Sequence, residues 1–255
     1  MEIMHPPNYE KIQISPVIKN NDMGKEVVWT YLVARKFNDE NNHATLAQIL
    51  CGDDKMITEN SKIWLEAYLQ PTREREGEIW KTRADLAIGC IEKNDGSKLQ
   101  IRSSGNSVCI CEAKYGSDIH YNKKYPVDQL ARVIEHAILL HDQQAIYPEH
   151  VYVTLITPQS FWNQDRDYQN IYEKYEKDKS LIAKHLQTCD LKFKNHIDYD
   201  FLKERLSRLK FKRVTFEKLL GLSDPVTEFN TWKEVLIKIK REDLFDKLTK
   251  QLIKP

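Results

Sequence analysis

Two carboxylates and a lysine stand on two neighbouring apolar segments of the chain, where they could carry out chemistry. Asp85 lies within the first segment, and Glu112 and Lys114 close the second. In a strand, alternate side chains project from the same face, so Glu112 and Lys114 are predicted to share one side while Ala113 points to the other. If the strand of Asp85 lies next to theirs, the three groups form an acidic pocket with one fixed cation.

This pocket has the composition that a hard divalent cation and a phosphate need together. Mg²⁺ prefers oxygen ligands and usually binds through one or two carboxylates plus a substrate phosphate. Asp85 and Glu112 could supply the carboxylates, and the backbone carbonyl of Ala113 could supply a third oxygen. Lys114 could hold or help to deprotonate an attacking water and balance negative charge in the transition state. We therefore expect Mg²⁺ as the cofactor, with Mn²⁺ as a substitute.

Length and composition bound the class of protein. The chain has 255 residues, 41% of them apolar and 30% charged, with a formal net charge of +1. These values are typical of a globular protein and exclude a strongly basic, histone-like chain, although they allow a local positive groove. No run approaches the roughly 18 apolar residues of a membrane span, and the N-terminus lacks a secretion signal. Five cysteines without a Cys-x-x-Cys pair predict buried, reduced thiols in a cytoplasmic protein.

The elements that must position these residues are predicted from hydrophobic periodicity, turn signals and breakers. Helices are predicted at 22–38, 45–51, 58–70, 127–142, 165–187, 198–209 and 226–253, with a short one ending at Gly221. Strands are predicted at 78–81, 84–91, 99–102, 108–115, 150–157 and 210–216. The order helix, three strands, helix, strand predicts an α/β protein with a mixed sheet flanked by helices.

The residues Asp85, Glu112 and Lys114, together with this element order, resemble the PD-(D/E)XK nuclease superfamily. The resemblance covers residues 22–158 and implies a restriction-endonuclease-like fold with an αβββαβ core. Residues 1–21 are then an N-terminal arm, and residues 159–255 a mostly helical elaboration packed on the core. Ala84 stands where the family usually has a proline before the aspartate.

The resemblance also suggests two further site residues. Gln129 opens the helix after the second apolar segment, where several branches of the superfamily carry a glutamine near the site. Some members add a glutamate from the first helix to the metal ligands. Glu26, Glu59 and Glu66 are candidates here, and Glu26 is favoured because it lies in the first turn of the longest early helix.

Contacts to a nucleic acid are predicted from two polar segments. The loop beyond Lys114 is positioned to touch a backbone or groove, and the basic segment 203–218 could neutralise several phosphates. A solvated surface explains both segments nearly as well. The candidate residues are His120, Tyr121, Lys123, Lys124, Arg205, Arg208, Lys210, Lys212 and Arg213.

The predicted function is a metal-dependent endonuclease, with DNA favoured over RNA as the polymer. By the resemblance we expect a restriction or genome-defence enzyme, and a homodimer is compatible with it. A repair, transposition or RNA-directed nuclease on the same core, a sulfonucleotide or small-phosphate hydrolase, and a catalytically silent nucleic-acid-binding or interaction module remain as alternatives. The three charged groups could also form only a salt bridge at the solvent end of the sheet, without a catalytic role. No phosphate-loop, dinucleotide-binding, nucleophile-elbow or zinc-protease motif is present.

Overall fold

The strand that carries Glu112 lies at the centre of a mixed sheet, buried on both sides.

A computed structural model describes residues 12–14, 30, 33–34, 36–37, 40–52, 62–70, 74–75, 78–79, 82–96, 98–103, 105–114, 128–159, 162, 166–188 and 197–221. Within them the strands are β1 (Ile12–Ile14), β2 (Ile63–Tyr68), β3 (Glu74–Arg75), β4 (Glu78–Ile79), β5 (Arg83–Gly89), β6 (Ile91–Lys93), β7 (Leu99–Ile101), β8 (Ser107–Ala113), β9 (His150–Thr157) and β10 (Leu209–Thr215). The helices are α1 (Glu40–Cys51), α2 (Gln129–Ile138), α3 (Asp167–Lys177), α4 (Ser180–Thr188), α5 (Tyr199–Ser207) and α6 (Phe216–Leu220).

The six-stranded sheet has the order β1-β2-β5-β8-β9-β10. Strands β2, β5 and β8 are antiparallel neighbours, whereas β8, β9 and β10 run parallel, and β1 is parallel to β2. The parallel step from β8 to β9 is bridged by α2, as a parallel connection requires. The mixed sheet flanked by helices confirms the predicted α/β class.

Helices cover both faces of the sheet and divide the core in two. Strand β8 shows this best, because its side chains alternate between the two apolar clusters along its length. Val108 and Ile110 pack with α2 to α5, and Cys109 and Cys111 pack with α1 and α6. Helix α2 lies on the face of β8 that carries Val108. Because side chains alternate along a strand, Glu112 projects from this same face.

One predicted helix is wrong. Within the segment 58–70 that was predicted to be helical, residues Ile63–Tyr68 form β2, in which Ile63, Trp64 and Leu65 are buried. A short apolar run cannot be assigned by periodicity alone, and here pairing with β5 on one side and β1 on the other decides the conformation. The three antiparallel strands therefore begin with β2, which precedes the segment 78–81 where the sequence predicted the first strand. Glu66, one of the candidate glutamates, consequently lies on a strand and not on a helix.

Most other predicted elements agree with the structure to within a few residues. Helix α1 begins at Glu40, five residues before its predicted start, and ends at Cys51, where Gly52 follows with a positive φ of 71°. Of the predicted helix 22–38, Thr30, Val33, Ala34 and Lys36 are helical, and residues 22–29 lie outside the described part, as do 226–253. No helix among the described residues has the length and apolar character that crossing a membrane requires.

The described residues beyond Pro158 join the same sheet and core. Strand β10 extends the sheet by pairing with β9 over seven residues, from Leu209 to Thr215. Helices α3, α4 and α5 contribute Tyr168, Ile182 and Leu202 to the cluster that also contains residues of α2. Four cysteines, at positions 51, 90, 109 and 111, are buried free thiols as predicted, and Cys189 lies outside the described residues.

Candidate active site

Glu112 and Lys114 form a buried ion pair at the end of β8. The Lys114 ammonium Nζ lies 2.7 Å from Glu112 Oε1, and the two side chains are 6% and 2% exposed. The Lys114 backbone N–H donates to Ile156 O at 2.9 Å, so pairing with β9 continues one residue beyond the strand and fixes the position of Lys114. The predicted same-side placement of the two groups agrees with this ion pair.

Gln129 contacts the same lysine from the first turn of α2. Lys114 Nζ donates to Gln129 Oε1 at 3.2 Å. Because Gln129 is the first residue of α2, its side chain reaches the end of β8 from the helix that covers this face. The structure therefore brings Gln129, which the resemblance suggested as a site residue, into direct contact with Lys114.

Asp85 meets the same end of β8 from the neighbouring strand β5. Its Oδ2 accepts the backbone N–H of Ala113 at 2.7 Å. The pairing of β5 with β8 places Leu86 opposite Cys111, one residue after Asp85 on one strand and one residue before Glu112 on the other. Asp85 is half-buried, whereas Glu112 is almost fully buried. The two carboxylates are thus brought to one end of two paired strands.

The donor set fits a hard divalent cation. Within the described part of the chain, Glu112 Oε1 is buried and makes no aligned hydrogen bond, although the Lys114 ammonium lies beside it. Asp85 brings a second carboxylate to the same end of the strands, where its Oδ2 accepts the N–H of Ala113. No group of three His, Cys, Asp or Glu side chains suited to a metal occurs among the described residues. A cation here would therefore need carbonyl, water or substrate oxygens as its other ligands, as Mg²⁺ commonly does.

Thiols lie on the far side of the strand from Glu112. Cys109 and Cys111 have sulfur atoms 3.8 Å apart, and the Cys109 sulfur lies 3.5 Å from Thr154 Oγ1. Burial and the neighbouring Cys109 raise the pKa of Cys111, and the charge of Asp85 adds to this effect. An uncharged Cys111 behaves as a small apolar side chain, so we assign it to the core.

Asp128, the residue before Gln129, belongs to a second group of polar side chains. The sequence did not indicate that this group forms. Asp128 is the N-cap of α2, and its Oδ1 accepts the Ala131 N–H at 2.7 Å. Its other oxygen, Oδ2, accepts the Tyr175 hydroxyl at 2.5 Å and lies 3.3 Å from His185 Nδ1. An Asp before an apolar-periodic run is an N-cap signal that could have been found, but no spacing relates it to Tyr175 or His185.

Arg205, predicted to contact nucleic acid, lies in the core. It is 5% exposed, its Nε donates to Ile138 O at 2.9 Å, and its NH2 group donates to Pro148 O at 2.6 Å. Burial lowers the pKa of Arg205 from its usual value. The buried guanidinium is not accessible to a phosphate. The prediction that Arg205 contacts nucleic acid is therefore wrong.

The other two predicted arginines are bound to the protein itself. Arg208 pairs with Glu204 at 3.0 Å and with Glu149 at 2.9 Å. Arg213 donates to Gln169 Oε1 at 3.1 Å, and its guanidinium lies 4.6 Å from the centre of the Trp162 ring. Both charges are therefore partly satisfied within the protein.

Lys210 and Lys212 are the predicted basic residues that face outward from β10. Both are exposed, and they share one face of this strand by alternation. Lys210 Nζ lies 3.5 Å from the Tyr152 hydroxyl, and the Lys212 ammonium lies beside Gly52, at the carboxyl end of α1. The predicted loop contacts His120, Tyr121, Lys123 and Lys124 and the glutamate Glu26 lie outside the described residues, and Glu59 does too.

Comparisons of the chain with protein-family models, with curated proteins and with solved structures give no match. Function is therefore inferred from the residues of the site and from the order of the elements that carry them.

Proposed function

We propose that this chain is a metal-dependent phosphodiesterase that cleaves DNA, with Asp85, Glu112 and Lys114 at its centre. The convergence of these groups at one end of β5 and β8 carries the proposal. Lys114 lies 2.7 Å from a Glu112 oxygen, and Asp85 binds the backbone N–H of the residue between them. Two hard oxygen donors beside a fixed ammonium suit the hydrolysis of a phosphodiester.

Each group has a role that follows from its chemistry. Asp85 and Glu112, with the Ala113 carbonyl, would hold Mg²⁺ or Mn²⁺. When bound, such a cation lowers the pKa of a water ligand and stabilises charge on the phosphoryl oxygens. Lys114 supplies a positive charge close to the reacting phosphate, and Gln129 orients its ammonium by accepting one of its three N–H donors.

The order of elements supports a nuclease of the PD-(D/E)XK type. Strands β2, β5 and β8 are antiparallel neighbours in the large sheet, and α2 then leads to β9, parallel to β8. Apart from the short strands β3, β4, β6 and β7, this order is compatible with the αβββαβ core that the resemblance implies, with Asp85 on its second strand and Glu112 on its third. We further propose a cytoplasmic restriction or genome-defence endonuclease, with Lys210 and Lys212 as contacts to the DNA backbone.

A plasmid-cleavage assay tests the proposal. The wild-type chain is incubated with supercoiled DNA in Mg²⁺, in Mn²⁺ and with a chelator, and the ends of any product are sequenced. Nicking or linearisation that requires the metal supports the enzyme. Defined ends support a restriction-type enzyme, whereas ragged ends contradict that part of the proposal. Intact plasmid under all metal conditions contradicts the enzymatic activity itself.

A second candidate is a catalytically silent nucleic-acid-binding module on the same fold. The observation that favours it is the closed ion pair, because the Lys114 ammonium lies against the Glu112 oxygen that a cation would use. The same assay separates the two candidates when it is read alongside an electrophoretic mobility shift. Retarded DNA that stays uncut in Mg²⁺ and in Mn²⁺ favours the binding module.

A further inference from the structure

Asp128, Tyr175 and His185 form a hydrogen-bonded group at the amino end of α2, next to the candidate active site. The Tyr175 hydroxyl donates to Asp128 Oδ2 and lies 2.8 Å from His185 Nδ1. His185 Nδ1 is in turn 3.3 Å from the same carboxylate oxygen. Each of the three residues comes from a different place in the chain, since Tyr175 lies on α3 and His185 on α4.

The group keeps a charged carboxylate in a buried position. Asp128 and Tyr175 are each 6% exposed. Burial by itself would raise the pKa of Asp128, but hydrogen bonds from His185, Tyr175 and the Ala131 N–H outweigh it, and the pKa is lowered. Asp128 is therefore held as an anion, which is the stronger acceptor for the N–H groups of the first helical turn.

The geometry connects this group to the site through one residue. Asp128 caps α2, and the next residue, Gln129, begins the helix and accepts the Lys114 ammonium at 3.2 Å. An N-cap fixes the backbone of the first turn. A shift of Asp128 would therefore change the position of Gln129 relative to Lys114.

We propose that Tyr175 and His185 are positioning residues, which hold Asp128 as the cap of α2 and so hold Gln129 against Lys114. The inference rests on the proposed function of Lys114. It gives helices α3 and α4, from the region beyond Pro158, a part in the reaction without contact to the substrate.

Tyr175→Phe tests the proposal, with Tyr172→Phe as the matched control. Tyr172 lies on the same helix and is also buried, and its hydroxyl has no hydrogen-bond partner among the described residues. For Mg²⁺-dependent nicking we expect Tyr175→Phe to lower kcat about tenfold with KM changed less than about twofold, because only positioning is lost. Tyr172→Phe should match the wild type. Equal kinetics of the two variants would overturn the proposal.

A double variant asks whether Tyr175 acts through Gln129. If it does, adding Tyr175→Phe to Gln129→Ala lowers kcat by less than about a further twofold, since the residue it positions is already gone. Losses that multiply would show that Tyr175 acts by another route. If Tyr175→Phe fails to fold, His185→Ala replaces it with the same expected result. The His185 side chain is 29% exposed, so its removal disturbs the core less.

A spectroscopic measurement keeps this test separate from the test of the enzyme. The side-chain amide signal of Gln129, assigned by its loss in Gln129→Ala, should shift in Tyr175→Phe and stay in place in Tyr172→Phe. If the wild type fails to cleave DNA, the proposed function fails, yet the signal still reports on positioning. A Gln129 signal that Tyr175→Phe leaves unmoved would overturn the inference in either case.

Discussion

The end of β8 and the basic segment 203–218 both carry charges that the sequence singles out, yet the structure uses them differently. At β8, the acid and the lysine face each other at 2.7 Å. In the basic segment, the arginines bind carbonyls and acids of the protein, and Lys210 and Lys212 on β10 face outward. Alternation within one strand predicts which side chains meet, whereas a cluster of like charge spread over α5 and β10 does not predict a common surface.

The largest expected effect on stability concerns the ion pair. Lys114→Met leaves the Glu112 carboxylate buried without its partner and should lower the free energy of unfolding by about 3–5 kcal/mol. Combining it with Glu112→Gln removes the uncompensated charge and should restore much of that loss. Denaturant unfolding of the two single variants and the double variant measures both. A single variant as stable as the wild type would show that the pair is solvated.

The next effect distinguishes the arginines of the basic segment. Arg205→Met strips two buried carbonyls of their donor and should lower the free energy of unfolding by about 2–3 kcal/mol. DNA binding, measured on the fraction that remains folded, should not change. Arg208→Met is the control at a surface ion pair, and its melting temperature should stay that of the wild type. Loss of DNA affinity in Arg205→Met without loss of stability would return Arg205 to the interface.

A smaller effect concerns the outward lysines of β10. Lys210→Ala combined with Lys212→Ala should weaken DNA binding at low salt. The slope of log affinity against log salt should fall by about 2, because at the proposed interface each lysine neutralises one phosphate of the DNA backbone. Lys203→Ala removes an exposed lysine from α5 instead and serves as the control. An unchanged slope in the double variant would show that β10 does not contact the polymer.

The smallest effect is a pH dependence of stability at the cap of α2. Because the pKa of Asp128 is lowered from its ordinary 3.8, its contribution to folding is complete above that value and is lost as pH falls through the folded pKa. The melting temperature of the wild type should therefore exceed that of Asp128→Asn by a constant margin near neutral pH. That margin should shrink as the pH falls below about 4. A margin independent of pH down to acid unfolding would contradict the assignment.

Much of the sheet and the placement of Glu112 and Lys114 on one side of β8 could be predicted from the sequence, because both follow from period-two alternation in a buried run. Strand β2 could not be predicted, because residues 63–68 fit both the helical and the strand periodicity. Pairing with β5 in the folded protein decides the conformation. The hydrogen bonds of Arg205 and the meeting of Asp128 with Tyr175 and His185 depend on how helices pack. Local spacing carries no information on such packing.

The cleavage of supercoiled DNA by the wild type and by Asp85→Asn, compared in Mg²⁺, tests the central claim most directly. Asp85→Asn keeps the size of the side chain and an oxygen that can accept the Ala113 N–H, so it should fold and retain much of its DNA binding. We expect the wild type to cut and the variant to cut at least about a hundredfold more slowly, since a metal-binding charge is lost. Equal rates in the two proteins would remove Asp85 from the centre and contradict the proposed site.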